Sequence, residues 1–173
     1  DGTVSAPIAG VPEVENRPPD TAWPTQAGLL DVKVGPTFAD DRMVYLTYSK
    51  PMPDDTSATA AARGVLSDDM GRLVAVEDIF VQSPPSDTRM HYGSRIAFDG
   101  RGHVFITTGE HSSLKDRDRA QQLGNTYGKV VRLHLDGSIP QDNPFRTVEG
   151  ADPAIWSYGH RNVQGAAMRE GIL

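Results

Sequence analysis

Residues 34–49 read VGPTFADDRMVYLTYS, and residues 96–110 read IAFDGRGHVFITTGE. Each runs from an apolar strand through an aromatic and an acidic turn into a second strand that closes on Thr or Ser. The copies lie about 60 residues apart, the mark of a repeated supersecondary unit. A further start, GAAMREGIL at 165–173, reads as a third copy cut off early.

The chain between the copies has the same texture. AARGVLS (61–67) and RLVAVEDIFVQ (72–82) are strands separated by the turn DDMG. In GKVVRLHLDGSIP (128–140), Val131, Leu133 and Leu135 alternate with polar residues into an Asp-Gly turn, the pattern of a half-buried antiparallel strand. HSSLKDRDRAQQLGN (111–125) is polar and charged and is expected to be an excursion loop. Short strands at regular spacing, with aromatics and glycines once per unit, predict propeller blades. A sandwich is the competing all-β architecture, but it does not predict a repeat of this length. The reading is one partial domain over 1–173, with a Pro-rich, loop-like segment at 1–25 and about three blades over 26–173. A propeller ring closes with about 4–8 blades, so further chain or a partner is expected to complete it.

Composition narrows the function. The 173 residues suffice for one domain with a core. Acids outnumber Lys and Arg by 23 to 17, which disfavours capture of a nucleic acid. No apolar run nears the ~20 residues of a membrane helix. Cysteine is absent, which removes disulfides, thiolate catalysis and Cys-ligated zinc. The first residues, DGTVSAPIAG, have no initiator Met or apolar leader, as expected of a mature or truncated product. His103, His111 and His134 lack a zinc spacing, and neither a dinucleotide-binding glycine fingerprint nor a Gly-x-Ser-x-Gly elbow occurs.

IWSYGHRNVQGAA (155–167) places Gly-His-Arg-Asn between two apolar, strand-like runs. A turn accounts for the glycine but not for a fixed cation followed by an amide. Taken in order and register, QAGLLDV (26–32), HYGSRIAFDGRGHVFITTGE (91–110), YGKVVRLHLDGSIPQDNPF (127–145) and GHRNVQGAA (159–167) closely resemble the soluble quinoprotein sugar dehydrogenases, the glucose/sorbosone dehydrogenase family.

The resemblance implies a six-bladed β-propeller, here its N-terminal half, with four-stranded antiparallel blades. It further implies pyrroloquinoline quinone (PQQ) and calcium (Ca2+) as cofactors, an aldose substrate oxidised to a lactone, an external electron acceptor, and a periplasmic or secreted location. His91 stands at the position of the family's catalytic histidine, a base for the anomeric hydroxyl. Arg161 and Asn162 match the cofactor-contacting pair. A guanidinium suits carboxylates and carbonyls and would stabilise charge developing on a dione. Gln26 corresponds to a glutamine near substrate and cofactor, and Glu110 to an acid near the sugar that could also tune His91. Glucose-preferring relatives tend to carry Asp-Gln-Gly where this chain has Glu110-His111-Ser112, which puts strict glucose preference in doubt. Met90 replaces an acid found in some members and is expected to cost the imidazole one orienting partner. His160 is expected to be structural. No metal ligand is assigned in this chain, because the family's calcium loop follows the GHRN motif beyond Leu173. Two other readings stay open: a non-catalytic extracellular propeller that binds a protein or glycan, and a calcium-dependent lactonase, whose acidic and amide ligand cluster is not found.

Overall fold

The computed structural model describes residues 4–15 and 25–173, so part of the loop-like 1–25 segment lies outside the described residues. Eight strands follow in order: β1 (Leu29–Val34), β2 (Met43–Met52), β3 (Thr56–Leu66), β4 (Leu73–Val81), β5 (Gly93–Phe98), β6 (His103–Thr108), β7 (Lys129–His134) and β8 (Ile155–Tyr158). They form two four-stranded sheets, β1-β2-β3-β4 and β5-β6-β7-β8, each an antiparallel meander. The repeat in the sequence is the opening hairpin of each sheet, β1–β2 and β5–β6. One helical turn, Phe38–Asp41, lies in the first connection, and a 3₁₀ turn, Arg117–Gln121, in the predicted excursion loop.

Among the described residues two four-stranded blades are complete, where the repeat predicts about three. Residues 165–173 contribute an isolated bridge between Arg169 and Ile172 rather than a strand. A first strand is stable only when a second pairs with it, and none follows among the described residues. β3 also begins earlier than the sequence suggests. Its first half is buried from Ser57 to Ala61 but carries small side chains that give no strong strand signal.

Alternation along β2 builds the core. Val44, Leu46 and Tyr48 face Ala60, Ala62, Leu66 and Leu73 on one side. Tyr45 faces the other way and packs, with Ala61 and Ile79, on Ile96, Val104, Ile106, Val131 and Leu133 of the second sheet. The alanines of β3 keep that strand thin on both faces, so the sheets can stack closely. The face turned away from the second sheet is open along β1: Leu29, Val32 and Val34 are 57%, 65% and 59% exposed, while Val44, Leu46 and Leu73 beside them are buried. Val4, Pro7, Ile8 and Val11 line the same groove.

Candidate active site

The site forms where the chain entering β5, the end of β6 and the chain leaving β8 meet. Gly109 lets them meet. A Cβ on it would lie 1.7 Å from the His91 carbonyl oxygen, so only glycine allows the two segments to pass. Immediately beyond it, the Glu110 N–H donates to the Arg161 carbonyl (3.0 Å), and Gly109 bridges to Asn162. The 159–162 motif is thereby an added edge beside β6. That is why a cation and an amide sit between two apolar runs.

His91 is buried and held in the left-handed region, at φ 49°, a conformation uncommon for a residue with a side chain. Its N–H donates to Gln26 Oε1 (2.9 Å), and its carbonyl accepts the His111 N–H (3.4 Å). The imidazole Nδ1 is 2.7 Å from Glu110 Oε1. A carboxylate accepts, so Nδ1 carries the proton and Nε2 is left as the basic nitrogen. Glu110 is itself 4% exposed at the side chain; its Oε2 takes the Ser112 N–H at 2.5 Å, and Arg161 Nε is 3.6 Å from its Oε1. Its buried charge is thus compensated from three directions.

Arg161 presents its guanidinium outward, 75% exposed. Asn162 Oδ1 accepts the Gly93 N–H (2.9 Å), which fixes the amide and leaves its Nδ2 donors engaged by no group among the described residues. The Gln26 amide nitrogen is in the same state. Three sets of donors, on Arg161, Asn162 and Gln26, therefore border the His91–Glu110 pair.

The sequence profile of the Glucose / Sorbosone dehydrogenase family matches residues 1–171. The chain belongs to that family. It is 44% identical over 166 residues to the Aldose sugar dehydrogenase YliI of Escherichia coli (strain K12), covering 95% of this chain and 42% of that protein. A solved glucose dehydrogenase superposes with TM-score 0.87 at 42% identity, covering 96% of this chain and 49% of the other. The PQQ-bound form of Aldose Sugar Dehydrogenase from Streptomyces coelicolor superposes with TM-score 0.63 at 28% identity, covering 83% and 40%. The chain spans less than half the length of these relatives. Its two sheets are a portion of a six-bladed propeller.

Within this member of the glucose/sorbosone dehydrogenase family, all five residues singled out from the sequence, Gln26, His91, Glu110, Arg161 and Asn162, come together. With Met90 in place of an acid, Glu110 is the carboxylate that orients the imidazole. His160 turns away: its Nε2 is 2.8 Å from Ser157 Oγ, and its N–H donates to the Gly128 carbonyl. Among the described residues, no group of three or more His, Asp or Glu gathers as a metal cage.

Sequence reasoning missed the support behind the site. His111 is fully buried, with Nδ1 3.0 Å from the Met90 carbonyl and Nε2 2.6 Å from Gln82 Oε1. Gln82 is fixed in turn by donating to the Gly109 and Thr126 carbonyls. Burial pushes the His111 pKa down to about 4, against the pull of the Met90 carbonyl and of Asp116 and Glu110. The neutral ring has one N–H and serves one of its two oxygens. Lys129 is equally buried; its Nζ donates to the Arg119, Ala120 and Tyr127 carbonyls and ties the excursion loop to β7. A lysine or glutamine beside a strand carries no sequence signal for such a role.

Proposed function

We propose that the complete protein is a quinoprotein sugar dehydrogenase that oxidises aldoses to lactones in the periplasm or outside the cell, with an external electron acceptor. The observation that carries this is the His91–Glu110 pair, 2.7 Å apart, bordered by the outward guanidinium of Arg161 and by free amide donors on Asn162 and Gln26, in a chain of this family.

The donor set fits pyrroloquinoline quinone, which carries three carboxylates and an ortho-dione. Arg161 supplies a planar fork for carboxylate or carbonyl oxygen, and Asn162 and Gln26 supply neutral donors. When bound, the quinone provides the two-electron acceptor for the hydride that leaves the anomeric carbon. His91 Nε2 takes the anomeric hydroxyl proton, and Glu110 stabilises the imidazolium through Nδ1–H. Arg161 places a positive charge at the edge of the site where negative charge accumulates during reduction. In the same reading Gln26 meets the sugar through its amide nitrogen, and Glu110 through lone pairs its carboxylate retains. Calcium, implied by the resemblance, finds no cage of acidic side chains among the described residues. The remainder of the ring, from chain beyond these residues or from a partner, closes the other wall.

The test is reconstitution of the complete protein with the quinone and calcium, followed by aldose-dependent dye reduction. His91→Ala should lower turnover by at least ~10²-fold and leave quinone affinity intact. Arg161→Ala should weaken quinone binding. A verified holoprotein that reduces no dye with any aldose sinks the dehydrogenase reading and favours a binding propeller.

A further inference from the structure

The wall that carries Arg161 and Asn162 is not held by β-sheet pairing beyond Asn162, yet two consecutive carbonyls there are captured by side chains of the second sheet. Thr107 Oγ1 on β6 donates to the Val163 carbonyl (2.7 Å), and the same oxygen accepts the Arg95 N–H (2.8 Å). Arg95 on β5 turns two donors, Nε and Nη2, onto the Gln164 carbonyl (3.1 and 2.8 Å). Its remaining arm, Nη1, reaches Asp31 Oδ1 at 2.9 Å. Asp31 lies on β1, in the other sheet, with its side chain 7% exposed. Its Oδ2 accepts the Ile96 N–H (2.9 Å), and its Oδ1 also takes the Val32 N–H (2.9 Å). A buried carboxylate from one blade thus orients a guanidinium of the next, and that guanidinium grips the chain two to three residues past the site.

We propose that Arg95, oriented by Asp31, is a positioning residue that clamps the Val163–Gln164 backbone and so sets where Arg161 and Asn162 stand beside His91. The clamp spans the junction of two blades, so the geometry of the site depends on how those blades pack. Its bearing on the cofactor rests on the reading of Arg161 given above; its effect on the backbone does not. Arginine is required because one ammonium cannot hold Asp31 and fork onto a carbonyl at once.

The variant Arg95→Lys in the complete protein keeps a cation for Asp31 and gives up the fork. Amide exchange read by peptide mass spectrometry, without cofactor, should quicken on the order of tenfold in residues 160–166, while β2, β3 and β7 keep their protection. Quinone affinity, measured by equilibrium dialysis, should fall on the order of tenfold, with the unfolding midpoint little changed. Arg161→Ala should then cost less affinity in the Arg95→Lys background than in the parent, although residues 95 and 161 join no common hydrogen bond or ion pair among the described residues. A merely structural Arg95 would leave the Arg161→Ala effect the same size in both.

Unchanged exchange at 160–166 overturns the clamp, and so do additive affinity losses when Arg161→Ala by itself weakens quinone binding. Quickened exchange with an Arg161→Ala variant that binds quinone normally keeps the clamp and rejects the cofactor role of Arg161 instead. Should Arg95→Lys fail to fold, Asp31→Asn retains an acceptor for the Ile96 N–H, loosens Arg95 through loss of charge, and is held to the same outcomes.

Discussion

His91 and His111 are both buried histidines, separated by one strand pair, with opposite physics. His91 has a carboxylate at Nδ1, which leaves Nε2 as the nitrogen proposed to act on the sugar. His111 has two carbonyl oxygens, two tyrosine edges and no solvent. Because burial holds the folded pKa of His111 near 4, below the unfolded value of 6.5, the unfolded chain binds a proton across that interval and the folded chain does not. Stability from this residue is therefore full above about pH 6.5 and is lost as pH falls toward 4, by on the order of 3 kcal/mol. Urea unfolding at pH 4.5 and pH 7 should show a steeper acid loss in the parent than in His111→Gln; equal slopes would mean that His111 ionises freely in the fold. His91 and Glu110 were legible in the sequence because a motif carried them. Gln82 and His111 were not, since their roles arise from partners 29 residues apart that only the fold brings together.

Among the elements, the connection from β6 into the site is the tightest point. Gly109 passes the His91 carbonyl where no Cβ fits, and Glu110 follows directly. Gly109→Ala should displace one segment or the other, costing at least ~2 kcal/mol of stability and abolishing turnover, as read by thermal unfolding and dye reduction. A Gly109→Ala protein with parental activity would mean that the crossing is looser than these distances. Strand existence was readable wherever β-branched and aromatic residues alternate, as in β2, β5, β6 and β7. It failed at the start of β3, where Thr, Ser and Ala make a buried strand out of small residues. It failed again after Asn162, where the apolar run VQGAA forms no strand: the Val163 and Gln164 carbonyls are taken by Thr107 and Arg95.

On the scale of the whole molecule, the two sheets bury one face against each other and leave the outer face of β1 in water. Leu29, Val32 and Val34 form an apolar stripe of the kind that marks an interaction surface. In the ring of this family such a face meets the next blade. A chain limited to residues 1–173 should therefore bind a hydrophobic dye strongly, and Val32→Lys should reduce that binding several-fold by charging the centre of the stripe. Dye binding that ignores Val32→Lys would place the exposed apolar surface elsewhere.

The sequence by itself determined the all-β repeat, because alternation and turn chemistry are local and recur with each hairpin. The family resemblance of its motifs also singled out Gln26, His91, Glu110, Arg161 and Asn162 as the proposed site, because those motifs are contiguous stretches of sequence. Glu110 was a candidate partner of His91 from the sequence, but the fold decided that its carboxylate takes the imidazole Nδ1. It likewise decided the number of complete blades and the Asp31–Arg95 clamp. Those contacts join residues 19 to 69 positions apart, and no local pattern encodes which carbonyl or carboxylate will lie within 3 Å once the sheets have packed.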